Sequence, residues 1–375
     1  MSDPIQTAAF AHARRAHLLD ALARDGAIRI SLLTDELRVT PVTLRRDLAQ
    51  LEREGLLQRV HGGAVALPAG PSGRPPDDPP TVTGTIAVLV PSLDYYWPGV
   101  VRGIEAEARR QGFGVVLRGA SYELQDERPV LERLIRGENV SGFILAPNTD
   151  TEHAQDVIQW LAECGRPSVL VERDAVVLPG HEPVESVRTD HTLGAVLAAR
   201  HLAALGHRRV GLVMSRNSPT SRKIADGWHE ACAELGLMTT SGFEPLLPDR
   251  RSPAFSASVD STLDDALNSD LTALLVHSDP EAMALIDVAL NRGISVPGDL
   301  SIVAYDDEIA ELFTPALTAV SPPRGAVGHA AADLLIKRIA DPDRPLSRIL
   351  VNPSLQVRAS TAPPRPVGER RRAAE

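Results

Sequence analysis

The sequence predicts an α/β protein in which a small, mostly helical N-terminal domain precedes two lobes of doubly wound parallel sheet. Three observations carry this expectation. Beyond residue 83, short apolar runs alternate with amphipathic stretches of helical period. The runs fall into two similar groups, too many strands for one compact sheet. Ahead of them, residues 68–83 (PAGPSGRPPDDPPTVT) are rich in Pro and Gly and have no apolar periodicity, so they read as a semi-extended linker.

The first group of expected strands is TIAVLV (85–90), FGVVLR (113–118), SGFILA (141–146) and PSVLVE (167–172). The second is RVGLVM (209–214), TALLVH (272–277) and LSIVAY (300–305). Helical patterns lie between them, among them WPGVVRGIEAEARRQG, HTLGAVLAARHLAALGH and PEAMALIDVALNRG. Strands this apolar, alternating with helices, imply parallel sheets covered on both faces. The reading divides the chain into a domain at 10–67, the linker at 68–83, a two-lobed body at 84–362 and a solvated, disordered tail at 363–375.

The chain has 375 residues, is 43% hydrophobic and 23% charged, and has a formal net charge of −10. That balance argues against a protein that coats nucleic acid over its whole surface. The charge is uneven, because residues 1–64 hold nine Arg and no Lys against eight acidic residues. Arg as the sole cation is informative, since its planar fork suits phosphates and guanine edges. No apolar run reaches the roughly 18 residues that span a bilayer, and the N-terminus lacks a secretory signal pattern. With only Cys164 and Cys232, unpaired in spacing, the reading is a cytoplasmic protein with two buried thiols, no metal site and no cofactor.

In the N-terminal domain, HARRAHLLDALARDG has helical period, with Gly26 as its C-cap. A shorter helix is expected near 31–37. A third starts at Pro41, behind Thr40 as N-cap. Leu44, Leu48 and Leu51 share one face of the third helix and must pack inward. Val42, Arg46 and Gln50 face the other way, with Thr43 and Arg45 on the flanks. A short helix, a tight turn and a helix with this exposed face make a helix-turn-helix, whose second element fits the major groove. Arg46 suits guanine, Gln50 adenine and Val42 a thymine methyl, while Arg45 is better placed for a phosphate. LLQRVHGGAVAL then reads as a two-stranded wing turning at Gly62-Gly63, bringing Arg59 and His61 to the DNA backbone or minor groove.

The stretch VTPVTLRRDLAQLEREGLLQRVHGGA resembles the winged helix of DeoR-type transcription regulators, with their T/S-x-x-T-[IL]-R-R-D-L helix followed by R-x-H-G-G-A. Thr40, Thr43, Arg45, Arg46, Asp47, Leu48, Arg59, His61, Gly62, Gly63 and Ala64 match it. The resemblance implies binding to a double-stranded DNA operator.

In open parallel sheets, ligands bind beyond the carboxyl ends of the strands. The residues just past the expected strands of the first group include Asp94, Tyr95, Tyr96 and Trp97, then Ser121, Asn148 and Arg173. Asn217 and Arg222, His277 to Asp279, and Asp306 come from the second group. Carboxylates that accept hydroxyl hydrogens, an Arg donor and aromatic faces suit a neutral sugar, polyol or nucleoside. The ligand set expected is Tyr95, Tyr96, Trp97, Asn148, Arg173, Arg222, His277 and Asp306. Trp97 and His277 each have a core alternative, and Asp190 and Asp279 read first as helix N-caps.

The body is also similar to the sensor of LacI/GalR regulators, a periplasmic-binding-protein-like domain. VSGFILAPN, RHLAALGHRRVGLV, GISVPGDLSIVAYDD and LVNPSLQVRAST carry the resemblance. It implies that Asp306 is the ligand-bonding carboxylate. Two positions depart from the family pattern: Ile224 stands where an Arg is usual, with Arg222 nearby as a substitute, and Ser278 stands for an Asn. The Pro-rich linker also replaces the family's hinge helix. The whole chain is thus expected to be a fusion of a winged helix-turn-helix with a two-lobed sensor. It would act as a homodimeric, DNA-binding transcription regulator, a repressor, controlled by a small molecule. No phosphate-binding loop, nucleophile elbow or H-E-x-x-H occurs, so an enzyme is the disfavoured alternative.

Overall fold

The computed structural model describes residues 18, 22, 27–29, 39, 44, 48, 51, 58–60, 63–65, 83–93, 95–119, 127–137, 140–147, 153–216, 218–240 and 243–365. Val42, Thr43, Arg45, Arg46, Gln50, His61 and Asn148 lie outside the described residues, as do Asp94, Ser121 and Asn217. So do the expected helix at 31–37, the linker up to residue 82 and the tail from 366. The chain divides into two units, Met1–Pro79 and Pro80–Glu375.

In the first unit, Leu18 and Leu22 are helical, as are Leu44, Leu48 and Leu51. All five are at most 3% exposed and form one core with Ala64, as the i, i+4, i+7 spacing of the last three requires. The expected wing is present as β2 (Gln58–Val60) antiparallel to β3 (Gly63–Val65). A third strand, β1 (Ala27–Arg29), pairs antiparallel with β3, which becomes the central strand of a three-stranded sheet. The sequence reading did not anticipate β1. Its strand signal is the brief alternation AIRI immediately after Gly26. Of Arg59 only the backbone, within β2, is described.

The second unit contains two lobes. The first is built on β4 (Gly84–Val90), β5 (Phe113–Gly119), β6 (Val140–Leu145), β7 (Ser168–Val171), β10 (Ser186–Thr189) and β17 (Arg348–Val351). They run in the order β17-β10-β7-β6-β4-β5, all parallel. A small hairpin, β8 (Val176–Val177) with β9 (Glu182–Pro183), precedes β10. One face of the sheet is covered by α1 (Trp97–Arg110) and α8 (Arg324–Ala340), the other by α2 (Arg128–Gly137) and α3 (Ala154–Glu163).

The second lobe is built on β11 (Arg209–Ser215), β12 (Met238–Thr239), β13 (Leu246–Leu247), β14 (Ala273–Val276), β15 (Ser301–Tyr305), β16 (Thr318–Ser321) and β18 (Ser354–Gln356). Its order is β12-β11-β14-β15-β16-β18, with β13 also on β11 and only β18 antiparallel. One face carries α4 (His191–Ala204) and α5 (Ser221–Leu235), the other α6 (Phe255–Asn268) and α7 (Asp279–Asn291). Each sheet is therefore doubly wound, with a separate apolar cluster on each face.

The chain crosses between lobes three times: at Asp190, at Pro322-Pro323 and at Asn352-Pro353. Asp190 caps α4 by accepting the Leu193 N–H at 2.9 Å, as its position ahead of that helix predicts. Because α8 comes after the second crossing, it returns to the first lobe and packs closely along α1. A Cβ on Gly328 would overlap the Val100 carbonyl, and one on Gly103 the Gly325 carbonyl. Both obstacles are backbone and cannot rotate away. Gly328→Ala is expected to cost about 1–3 kcal/mol by forcing the helices apart. Chemical unfolding measures this, and an unchanged midpoint would show that α1 and α8 separate freely.

Two smaller expectations change. Cys232 is buried and its thiol pKa is pushed up to about 12 by burial, but Cys164 is only half-buried. Residues 363–365, read as the start of a tail, are described, and Arg365 pairs with Asp299 at 2.9 Å. Among the described residues no helix is long and apolar enough to cross a membrane.

Candidate functional site

The carboxyl ends of both sheets open onto a cavity of about 570 Å³ between the lobes. That volume suits a small organic ligand. Tyr95, Tyr96, Trp97, Arg173, His277 and Asp306, all expected from the sequence, line it. Arg222 does not. The sequence treats Arg222 as a stand-in for the Arg missing at Ile224, but two residues along a helix is a turn of about 200°. Ile224 is fully buried in the core, so Arg222 points away, into an adjoining compartment.

The first strand-to-helix loop provides the aromatic wall. Tyr95 is held at φ 57°, a left-handed conformation that a bulky residue rarely adopts. Its buried hydroxyl has no hydrogen-bond partner among the described residues. Burial, with the charges of Asp306 and Asp279, raises its pKa above the usual phenol range. Tyr96 and Trp97 meet edge to face, their centroids 5.6 Å apart. Trp97 is both core and cleft: it is 2% exposed against the first-lobe cluster, yet it lines the cavity. The buried Arg173 stands 5.8 Å over its ring, with Nε donating to Pro147 O at 3.1 Å.

Glu172 organises the wall, and sequence reasoning missed it. It comes directly after β7, at φ 57°. Its carboxylate accepts from Tyr96 Oη at 2.6 Å, Thr189 Oγ1 at 2.8 Å and the Thr189 N–H at 3.0 Å. His191 Nε2 lies 3.2 Å away, and its Nδ1 is 3.0 Å from Tyr305 Oη in the second lobe. Burial pushes the Glu172 pKa up, but the bonds from His191, Tyr96 and Thr189 outweigh it and hold it at about 2. The first crossing thus lies inside a buried, ionised network that reaches both lobes. The available signal was a carboxylate immediately after an apolar strand.

Asp306 forms the opposite wall, at φ 96°, with Asp307 at φ 52°. Asp279 holds this strained turn in place. Its two oxygens accept the N–H groups of Asp307, Glu308 and Ile309 at 3.1, 2.7 and 3.0 Å. The expected role of Asp279 as N-cap is therefore corrected. Ser278 is the N-cap, in a reciprocal capping box with Glu281, and Asp279 is the first helical residue. From the first lobe, Arg324 donates to the Asp306 and Asp307 carbonyls and pairs with Glu308 at 3.0 Å. Asp307 itself pairs with Arg358 at 2.7 Å. The Asp306 carboxylate faces the cavity, with His277 Nε2 4.0 Å away. Burial, reinforced by Asp279, raises its pKa well above the usual value. Burial and His191 lower the His277 pKa to about 3, and its buried Nδ1 has no partner among the described residues. Unfilled donors and acceptors thus face one polar cavity with an aromatic side.

The chain matches known families over both units. Residues 14–68 match the DeoR-like helix-turn-helix domain, and residues 199–361 match the periplasmic binding protein-like domain. The transcriptional regulator MalR of Streptomyces coelicolor is 30% identical over 287 residues, covering 74% of this chain and 81% of that protein. The arabinose metabolism transcriptional repressor of Geobacillus stearothermophilus is 27% identical over 335 residues, covering 88% of this chain and 89% of that protein. A crystal structure of a LacI family transcriptional regulator from Enterococcus faecium, with bound ribose, superposes with a TM-score of 0.61 at 29% identity. It covers 74% of this chain and 99% of that one. On these grounds the chain belongs to the LacI family of transcriptional regulators and carries a DeoR-like helix-turn-helix domain at its N-terminal end.

Proposed function

We propose that the protein is a homodimeric, cytoplasmic repressor whose affinity for a double-stranded operator is set by a neutral sugar, polyol or nucleoside in the interlobe cavity, and that it is not an enzyme. The observation that carries the reading is the cavity itself: an aromatic wall from Tyr95–Trp97 faces the carboxylate of Asp306, which accepts from no donor among the described residues. Sugar hydroxyls are donors that such a carboxylate lacks, and a ring face covers the apolar side of a sugar. Ligand bridging both lobes favours a closed form, and only its differential affinity for closed and open forms can change the grip on DNA. The ribose bound in the Enterococcus faecium relative and the arabinose role of the Geobacillus protein support this class of effector.

Asp306→Asn is expected to weaken the effector found by a thermal-shift screen by about 1.5–3 kcal/mol, the usual worth of a hydrogen bond to a charged group. It should not lower stability, because it removes a buried carboxylate that has no donor among the described residues. Hydroxyl donors favour the ionised form. Below the raised Asp306 pKa, binding therefore releases a proton, and affinity rises with pH until Asp306 is ionised in the free protein. Calorimetry in two buffers of different ionisation enthalpy measures that proton. Equal binding by wild type and variant would remove Asp306 from the site.

The DNA reading rests on the sequence pattern, which sets Val42, Arg46 and Gln50 opposite the leucines that pack inward. Arg46→Ala is expected to cost about 1–3 kcal/mol and relax preference at one base position. Arg45→Ala should weaken all sequences and reduce the salt slope by about one. Gel-shift titration distinguishes them, and unaltered operator binding by both variants would overturn the face assignment.

A further inference from the structure

A second compartment, of about 400 Å³, adjoins the cavity on the far side of Ser218-Pro219, with Arg173 and Glu172 in the shared wall. It too lies between lobes. The first lobe supplies Glu172, Arg173 and Asp174, and the second supplies Arg216, Arg222 and Lys223.

The two acids are already engaged. Glu172 accepts from Tyr96, Thr189 and His191. Asp174 receives Arg348 at 2.6 Å, Arg188 at 2.8 Å and Lys223 at 3.1 Å, so three cations converge on one carboxylate. That leaves positive charge in excess even before Arg216 and Arg222 are counted. Neither of those side chains has a hydrogen-bond or ion-pair partner among the described residues, and both residues line the compartment. Lys223 is half-buried beside them. Burial lowers its pKa against the pull of Asp174, and Arg188 pushes it lower still. This concentration of cations stands out in a chain of formal net charge −10.

We propose that this compartment is a second ligand site, one that takes a small oxyanion: a phosphate, free or carried by a sugar. Guanidinium forks on Arg216 and Arg222 match phosphate oxygens, and charge-assisted bonds to them are strong. Solvated surface arginines are the bland alternative, but these two flank a cavity whose acids are saturated. The anion draws its partners from both lobes, so its binding is coupled to closure and hence to occupancy of the neighbouring cavity. The site is distinct from the neutral-ligand cavity and stands or falls independently of it.

The test is calorimetric titration of the full chain with inorganic phosphate and with ribose 5-phosphate, repeated on the exposed double variant Arg216→Ser/Arg222→Ser. Wild type is expected to bind at least one of them, more weakly as salt rises, and the double variant at least about tenfold more weakly at an unchanged melting temperature. Binding of inorganic phosphate identifies a free-anion site, and binding of the sugar phosphate alone identifies an anion carried by a sugar. No binding of either up to ~10 mM, or equal binding by the double variant, overturns the proposal. A parallel titration with neutral ribose reports on the first cavity alone, so failure of one reading is separable from failure of the other.

Discussion

Glu172→Ala is expected to destabilise the two-lobed unit by about 3–5 kcal/mol, the usual result of removing one partner from a buried charged network. The side chain is almost fully enclosed, and its loss strands Tyr96 Oη, the Thr189 N–H and hydroxyl, and His191 Nε2 together. Thr189, fully buried, cannot turn to water. Effector affinity should fall as well, because Tyr96 and the first crossing lose their anchor. Denaturant unfolding reads the loss of stability, and a shift below about 0.5 kcal/mol, the level of an ordinary surface change, would show that the network is not cooperative. The pH dependence has a definite sign. The folded pKa of Glu172 is held at about 2, below the value of a free carboxylate. Its contribution is therefore fully present above the unfolded pKa and is lost as pH falls toward 2. Wild type should lose stability in that acid window by more than the variant does.

Leu48→Ala is expected to unfold the N-terminal domain and abolish operator binding while leaving effector binding in place. Leu48 is 1% exposed, in a core that among the described residues also holds Leu18, Leu22, Leu44, Leu51 and Ala64, with Val39 against it. Truncating a buried Leu costs about 2–5 kcal/mol, close to the whole stability of so short a domain. Residues 80–375 form a separate compact unit with their own four clusters, so they should be spared. Scanning calorimetry should show the sensor transition unchanged and the smaller one missing. Retained operator affinity would mean that the domain tolerates the cavity.

Much of the fold was legible. The seven strands β4, β5, β6, β7, β11, β14 and β15 advertise themselves as apolar runs because both faces of their sheets are covered. Among the strands that escaped notice, SVRT in β10, TAVS in β16 and RILV in β17 mix apolar with polar side chains within four residues, so no apolar run marks them. They carry the interlobe crossings, so the sequence showed two lobes without showing where the chain passes between them. Tyr95, Tyr96, Trp97, Arg173, His277 and Asp306 were found because each lies just past a strand, and the rule that ligands sit beyond carboxyl ends needs no tertiary information. Arg222 also comes after a strand, but it lies within a helix, where the phase of the helix decides which compartment it enters.

By itself, the sequence determined the two units, the parallel doubly wound sheets, the inward leucines of the third helix and most of the cavity wall. All of these depend on periodicity and chain order, which are local. Only the tertiary structure decided what Glu172 and Asp279 do. Glu172 takes partners 17, 19 and 76 residues away, and Asp279 takes them 28 to 30 residues away. A carboxylate reads the same in a sequence whether it caps a helix, holds a loop or waits for a ligand. Its role is set by which donors folding brings within hydrogen-bond reach.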